Sequence, residues 1–319
     1  MIAEGTAPIV SSSNPIPFRR SDIWYEDGSV ILVAEATGFK VYKGVLAANS
    51  EVFRDMFDLS VPSTGGSVDG CPIVLLSDDA LDVKHLLNAL LDREFFRPME
   101  NPQPFAVAAS LLRLGKKYAI RRVYDEALSC LTHEFPSTLE GWERAESTDY
   151  SRLQYYVGLE IDVINVVREI NLPSLLPILF YLCAASYDSP TQIFRGVERG
   201  DGSVAILSRA DQEILLTGRH LMVIEAHDLF WVQLSSLFNC NSAPCGQRKA
   251  LVHRECFRPP GTLRALCGWS EDWYPGLCDP CRLNGPHAHS VYRKYLWESL
   301  PSFFELPEWD TLRAQDHTL

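Results

Sequence analysis

Six of the nine cysteines lie between Asn239 and Arg282. Cys240 and Cys245 form a C-x4-C pair, and Cys278 and Cys281 form a C-x2-C pair around Asp279-Pro280. Zinc takes four soft or borderline ligands in a tetrahedron, and a short-spaced cysteine pair on a turn can present two sulfurs to one ion. Cys240, Cys245, Cys278 and Cys281 are therefore the expected zinc ligands. His253, Cys256, Cys267, His287 and His289 are alternates that could replace a member or complete a second site. Four thiolates leave no open position for water, so zinc held this way would be structural. The competing reading is a group of reduced thiols acting as small hydrophobes. Cys71, Cys130 and Cys183 stand alone in apolar stretches and read as core.

Catalytic signatures are missing. The chain has no G-x-S-x-G, no P-loop, no G-x-G-x-x-G and no H-E-x-x-H. Gly65-Gly66 followed by Gly70 lacks the Lys-Ser/Thr of a phosphate loop. His227-Asp228, beside Glu225, falls in a helical pattern where adjacent side chains diverge. Asp78-Asp79 reads as helix capping. No catalytic or cofactor-binding residue is assigned, and the expectation is a protein that is not an enzyme. Arg248, Lys249, Arg254, Arg258 and Arg264 lie near the cysteines and leave one alternative, a zinc-stabilised nucleic-acid-binding regulator. A net charge of −12 argues against it, because affinity for phosphate comes from clustered Lys and Arg.

The 319 residues, 46% of them hydrophobic, suit about two domains. The start, MIAEGTAPIVSSSNPIPFRR, lacks the charged and apolar regions of a secretory signal and reads as a flexible tail over 1–20. The longest apolar run, Leu172 to Ser186, is interrupted by Pro173 and Pro177 and falls short of the ~20 residues of a spanning helix. The chain is expected inside the cell, cytoplasmic and/or nuclear, where thiols stay reduced.

Asp22 to Tyr42 predicts a β-hairpin with strand Ser29–Ala34, a turn at Thr37-Gly38, and alternation through Phe39 and Val41. Lys43–Asn49 predicts a short helical turn. Ser50 is a candidate N-cap for a helix over Glu51–Asp58 with Val52, Phe53, Met56 and Phe57 on one face. Pro62–Gly70 reads as a loop and Pro72–Leu76 as a buried strand. Amphipathic helices follow through Val83–Leu91, from Pro104 to Tyr118, and from Ile120 to Leu131. After about residue 135 the pattern is helical: Leu159–Ile170, Leu175–Ala185 and Arg219–Phe238, with a polar break at Tyr187–Gly202. From Asn239 the helical period fades.

The first hundred or so residues resemble the BTB/POZ domain. The resemblance rests on Ser21-Asp22-Ile23-Trp24, Val30-Ile31-Leu32, Phe39-Lys40-Val41-Tyr42-Lys43, Leu46-Ala47-Ala48-Asn49-Ser50 and Val52-Phe53-Arg54-Asp55-Met56-Phe57. Tyr42 stands where the family usually has histidine. Leu111–Tyr118, Leu172–Pro177 and Trp297–Phe304 are similar to the BTB proteins of mushroom-forming (basidiomycete) fungi. The resemblance implies an α+β fold: a BTB/POZ domain over 21–135, with a small sheet and amphipathic helices. A mainly helical region over 136–238 and a Cys-rich segment over 239–319 would follow. It implies a non-enzymatic protein–protein interaction module that pairs with itself as a homodimer or with other proteins, in some cases as an adaptor for a ubiquitin ligase scaffold or a transcriptional complex. Membrane partners are not expected. Asp22, Ile23 and Trp24 lie where the family has its N-terminal edge, so Trp24 is either an interface aromatic or part of its own core.

Overall fold

The computed structural model describes residues 17–58, 66–68, 70–146, 148, 150–187, 189–236, 240, 242–256 and 264–316, without the side chains of 226–236 and 256. The chain divides into two compact units. One takes in the chain to Arg97 together with Ala106–Ala127, and the other Pro98–Phe105 and Leu128–Thr318.

In the first unit, β1 (Arg19–Trp24), β2 (Val30–Ala34), β3 (Thr37–Val41), β4 (Ser67–Val68) and β5 (Cys71–Leu76) form a sheet in the order β1-β3-β2-β5-β4. β2 is the central strand. Its five residues, Val-Ile-Leu-Val-Ala, are all buried, and it pairs antiparallel with β3 and parallel with β5. A strand covered on both faces reads as a continuous apolar run, which explains the absence of alternation here.

The sheet corrects several expectations. The hairpin turn is Glu35-Ala36, not Thr37-Gly38, since Ala34 pairs with Thr37 and Glu35 takes a positive φ of 51°. Gly38 serves packing instead: a Cβ there would run into the ring of Phe18. The supposed tail ends in β1, a polar edge strand parallel to β3 whose Arg19, Arg20, Ser21 and Asp22 give little hydrophobic signal. The loop expected over Pro62–Gly70 contains β4, with 59–65 and 69 outside the described residues. Only Cys71 and Ile73 of β5 are buried. Trp24 is half-buried against the cluster of Ile31, Val33, Cys71 and Ile73, with the Arg20 guanidinium 4.5 Å above its ring, so the core reading fits it better.

Helices α1 (Lys43–Asn49), α2 (Glu51–Asp58), α3 (Ala80–Leu91), α4 (Phe105–Lys117) and α5 (Arg121–Glu134) follow. Ser50 caps α2, its Oγ accepting the Phe53 N–H at 3.0 Å and donating to the Tyr118 carbonyl at 2.5 Å. Phe53 and Phe57 are buried, and Phe53 stacks on Tyr118 at 4.4 Å. Val52 and Met56 are exposed, so the expected four-residue face is split. Asp79 caps α3 by accepting from the amides of Leu81 and Asp82. Asp78 accepts instead from Tyr118 and Lys117.

The second unit is helical: α6 (Leu139–Glu146), α7 (Leu159–Ile170), α8 (Leu176–Ser186), α9 (Pro190–Arg195), α10 (Arg209–Ser236), α11 (Ala243–Cys256), α12 (Asp279–Phe303) and α13 (Trp309–Gln315). The polar break holds α9 and a small hairpin, β6 (Val197–Glu198) with β7 (Val204–Ala205). α10 starts ten residues before the expected Arg219 because Ser208 caps it, accepting the Asp211 N–H, while Arg168 of α7 pairs with Asp211 at 2.7 Å. His227 and Asp228 have side chains outside the described ones. The segment from Asn239 is not loop-rich as expected: α11 and α12 dominate it. Their prolines, Pro244 and Pro280, sit in the first helical turn, where a missing N–H costs nothing. Among the described residues no helix is long and apolar enough to cross a membrane.

Removing the Ser50 hydroxyl strips α2 of its cap and leaves the Tyr118 carbonyl unpaired in the interior. Ser50→Ala is expected to cost about 1–2 kcal/mol in urea unfolding. An unchanged midpoint would show that the cap carries no stability.

Candidate metal centre

Two helices begin with the same local pattern. Ser242-Ala243-Pro244-Cys245 opens α11, and Cys278-Asp279-Pro280-Cys281 opens α12. In each, proline occupies the second helical position and cysteine the third. Cys278 is the N-cap of α12, and Cys240 lies just ahead of α11. The four sulfurs lie within 4.8 Å of one another. Cys245 and Cys281 are buried, and Cys240 and Cys278 are half-buried. This recurring cap-x-Pro-Cys pattern was a signal in the sequence that the spacing argument alone did not use.

Cys240 Sγ and Cys278 Sγ are 3.4 Å apart, far beyond the ~2.0 Å of a disulfide. Sulfurs 2.3 Å from a tetrahedral zinc would be about 3.8 Å apart, so the observed spacing is that of a ligand set. The donor chemistry fits as well. The Ser242 N–H donates to Cys240 and brings its thiol down to about 7. The Cys278 N–H donates to Cys245, although burial pushes that thiol up. Burial also pushes Cys281 up to about 12, partly offset by a hydrogen bond from Lys249. A site with two buried thiols and N–H donors aimed at sulfur favours a cation that replaces the protons.

The surroundings fix the two helix starts. Arg248 of α11 donates to the carbonyls of Asp272 and Trp273 in the turn before α12. Trp269 lies over α12 at Gly285, where a Cβ would come within 2.5 Å of its ring. Arg293 of α12 is buried and bonds the Leu266 carbonyl, Glu143 and Glu146.

The alternates fall elsewhere. Among the described residues, the gathered group holds none of His253, Cys267, His287 and His289. His289 is buried between Trp269, Trp273 and Tyr292, and His287 is exposed. The Cys256 side chain lies outside the described ones. The basic residues do not form one patch. Arg248 is engaged with carbonyls, Lys249 is buried, Arg254 and Arg264 are exposed, and Arg258 lies outside the described residues.

The sheet with its capping helices and the separate cysteine-bearing helical unit define a two-part protein of the kind that joins an association domain to an appended module. Residues 27–134 match the family model of the BTB/POZ domain, a protein–protein interaction module, and this part of the chain is a BTB/POZ domain. No curated protein matches the chain.

Within that domain one cluster superficially resembles catalytic machinery. His85 Nδ1 lies 2.9 Å from Ser110 Oγ, and Ser110 donates to Asp82 at 2.6 Å. The connectivity is wrong for nucleophilic catalysis, because the carboxylate holds the serine instead of orienting the imidazole. Ser110 is also buried. The trio joins α3 to α4. Burial depresses the His85 imidazole below its ordinary 6.5. As pH falls through 6.5, the unfolded chain takes up a proton that the folded one refuses, so stability declines. His85→Gln is expected to flatten this acid limb in urea midpoints measured across pH. Parallel wild-type and variant curves would contradict it.

Proposed function

We propose that this protein is a non-enzymatic interaction protein. Its BTB/POZ domain associates with a second copy or with another protein, as an adaptor for a ubiquitin ligase scaffold or a transcriptional complex. The match over residues 27–134 carries this reading. The sheet offers an edge for pairing in β1, while the exposed Val52 and Met56 of α2 supply apolar area outside the core. Light scattering with in-line mass determination on the full chain, across a dilution series, is expected to give a dimer. A monomer at every concentration would remove self-association and leave capture of a different protein as the role.

The second part of the proposal is that Cys240, Cys245, Cys278 and Cys281 bind one structural zinc ion. The zinc would pin the starts of α11 and α12 together, a task otherwise left to few aliphatic contacts. Metal analysis of protein never exposed to chelator is expected to find about one zinc per chain. The Cys245→Ser, Cys281→Ser double variant should fall to background. Zinc at background in the wild type, or unchanged in the double variant, would exclude the site. The alternative of a zinc-stabilised nucleic-acid-binding regulator gains no support from the scattered basic residues.

A further inference from the structure

Lys249 presents a problem that the metal site solves. It lies one turn beyond Cys245 on α11, is only 5% exposed, and its ammonium hydrogen-bonds the Cys281 sulfur. A buried ammonium is costly unless it meets negative charge. A neutral thiol supplies none, whereas a metal-bound thiolate does. Conversely, zinc with four thiolates carries a formal charge of −2, half of it on the buried sulfurs of Cys245 and Cys281. That charge also needs compensation. The N-termini of α11 and α12 bring partial positive charge to the same place, since Cys245 and Cys281 each occupy the third helical position.

Building on the zinc reading, we propose that Lys249 is the charge-balancing residue of the metal centre. It brings the net charge of the assembled site to −1 and, through its hydrogen bond, withdraws electron density from the Cys281 thiolate. Its role is positioning and electrostatic; it is not a ligand. Outer-shell groups of this kind are conventionally worth about 10–100-fold in metal affinity.

The test uses the full chain and three variants, Lys249→Arg, Lys249→Gln and Lys249→Met. Zinc affinity is read by competition with a chromophoric chelator. The sulfur-to-metal charge-transfer band is read after substitution with cobalt(II). Lys249→Gln and Lys249→Met are expected to lose about 10–100-fold in affinity and to shift the band to longer wavelength, because the thiolate is no longer stabilised. Lys249→Arg, which keeps the charge, should stay close to wild type in both. Equal affinity and an unmoved band in the neutral variants would overturn the role of Lys249 while leaving the site intact. An arginine variant as weak as the methionine one would overturn it too, since shape and not charge would then be responsible. Failure of the wild type to bind zinc or cobalt would overturn the underlying reading instead. If the neutral variants do not fold, the zinc-loaded wild type still decides. Mass-spectrometric mapping of alkylation should find Cys281 the slowest of the four cysteines, and modification of Cys281 as fast as Cys240 would contradict the proposal.

Discussion

The starts of α11 and α12 meet through sulfur. Cys240, Cys245, Cys278 and Cys281 converge within 4.8 Å although some thirty residues separate the two pairs. Four thiols in van der Waals contact contribute little to holding helix ends together. Four thiolates around a cation would contribute a great deal, because metal binding free energy becomes folding free energy. Much nearby depends on that meeting point. Arg248 ties α11 to the turn before α12, Trp269 closes over Gly285, and Arg293 carries α12 to Glu143 and Glu146 of α6. The charge argument runs the same way: a buried lysine and two helix N-termini facing the sulfurs are sensible only if the sulfurs are anionic.

The BTB/POZ unit solves its stability problem by different means. β2 places five consecutive apolar residues in the middle of the sheet and is hydrogen-bonded on both sides. Polar groups that end up inside are paired. Ser50 serves α2 and the Tyr118 carbonyl together, and Ser110 sits between Asp82 and His85. Buried polar groups satisfied in this way specify one packing of helices on the sheet. An association domain benefits from this, because a rigid scaffold presents its edge and its exposed apolar residues without further ordering cost.

Much of this was legible in the sequence. The β-branched run of β2, the Ser50 cap and the apolar stripe of α3 sit where period and capping chemistry put them. So do the four cysteines, because short spacing constrains geometry tightly. What was missed had weak local signal. β1 is a polar edge strand, and β4 is two residues long. Gly38 marked a close approach by Phe18, although its neighbour Thr37 made it look like a turn. The C-terminal helices were hidden because Pro244, Pro280, Pro286 and Pro301 resemble breakers, whereas two of them only start helices. Lys249 carried no sequence signal at all. Among surface-type residues its burial is a tertiary fact.

The protein is best understood as an association domain joined to a helical unit whose cysteine-bearing helices would be set by metal. The most direct measurement is X-ray absorption at the zinc edge on the full chain as purified. The account expects a single shell of four sulfur neighbours at about 2.3 Å. A shell containing nitrogen or oxygen neighbours near ~2.0 Å would mean that histidine, carboxylate or water completes the site. That would contradict the four-cysteine centre and the charge balance built on it.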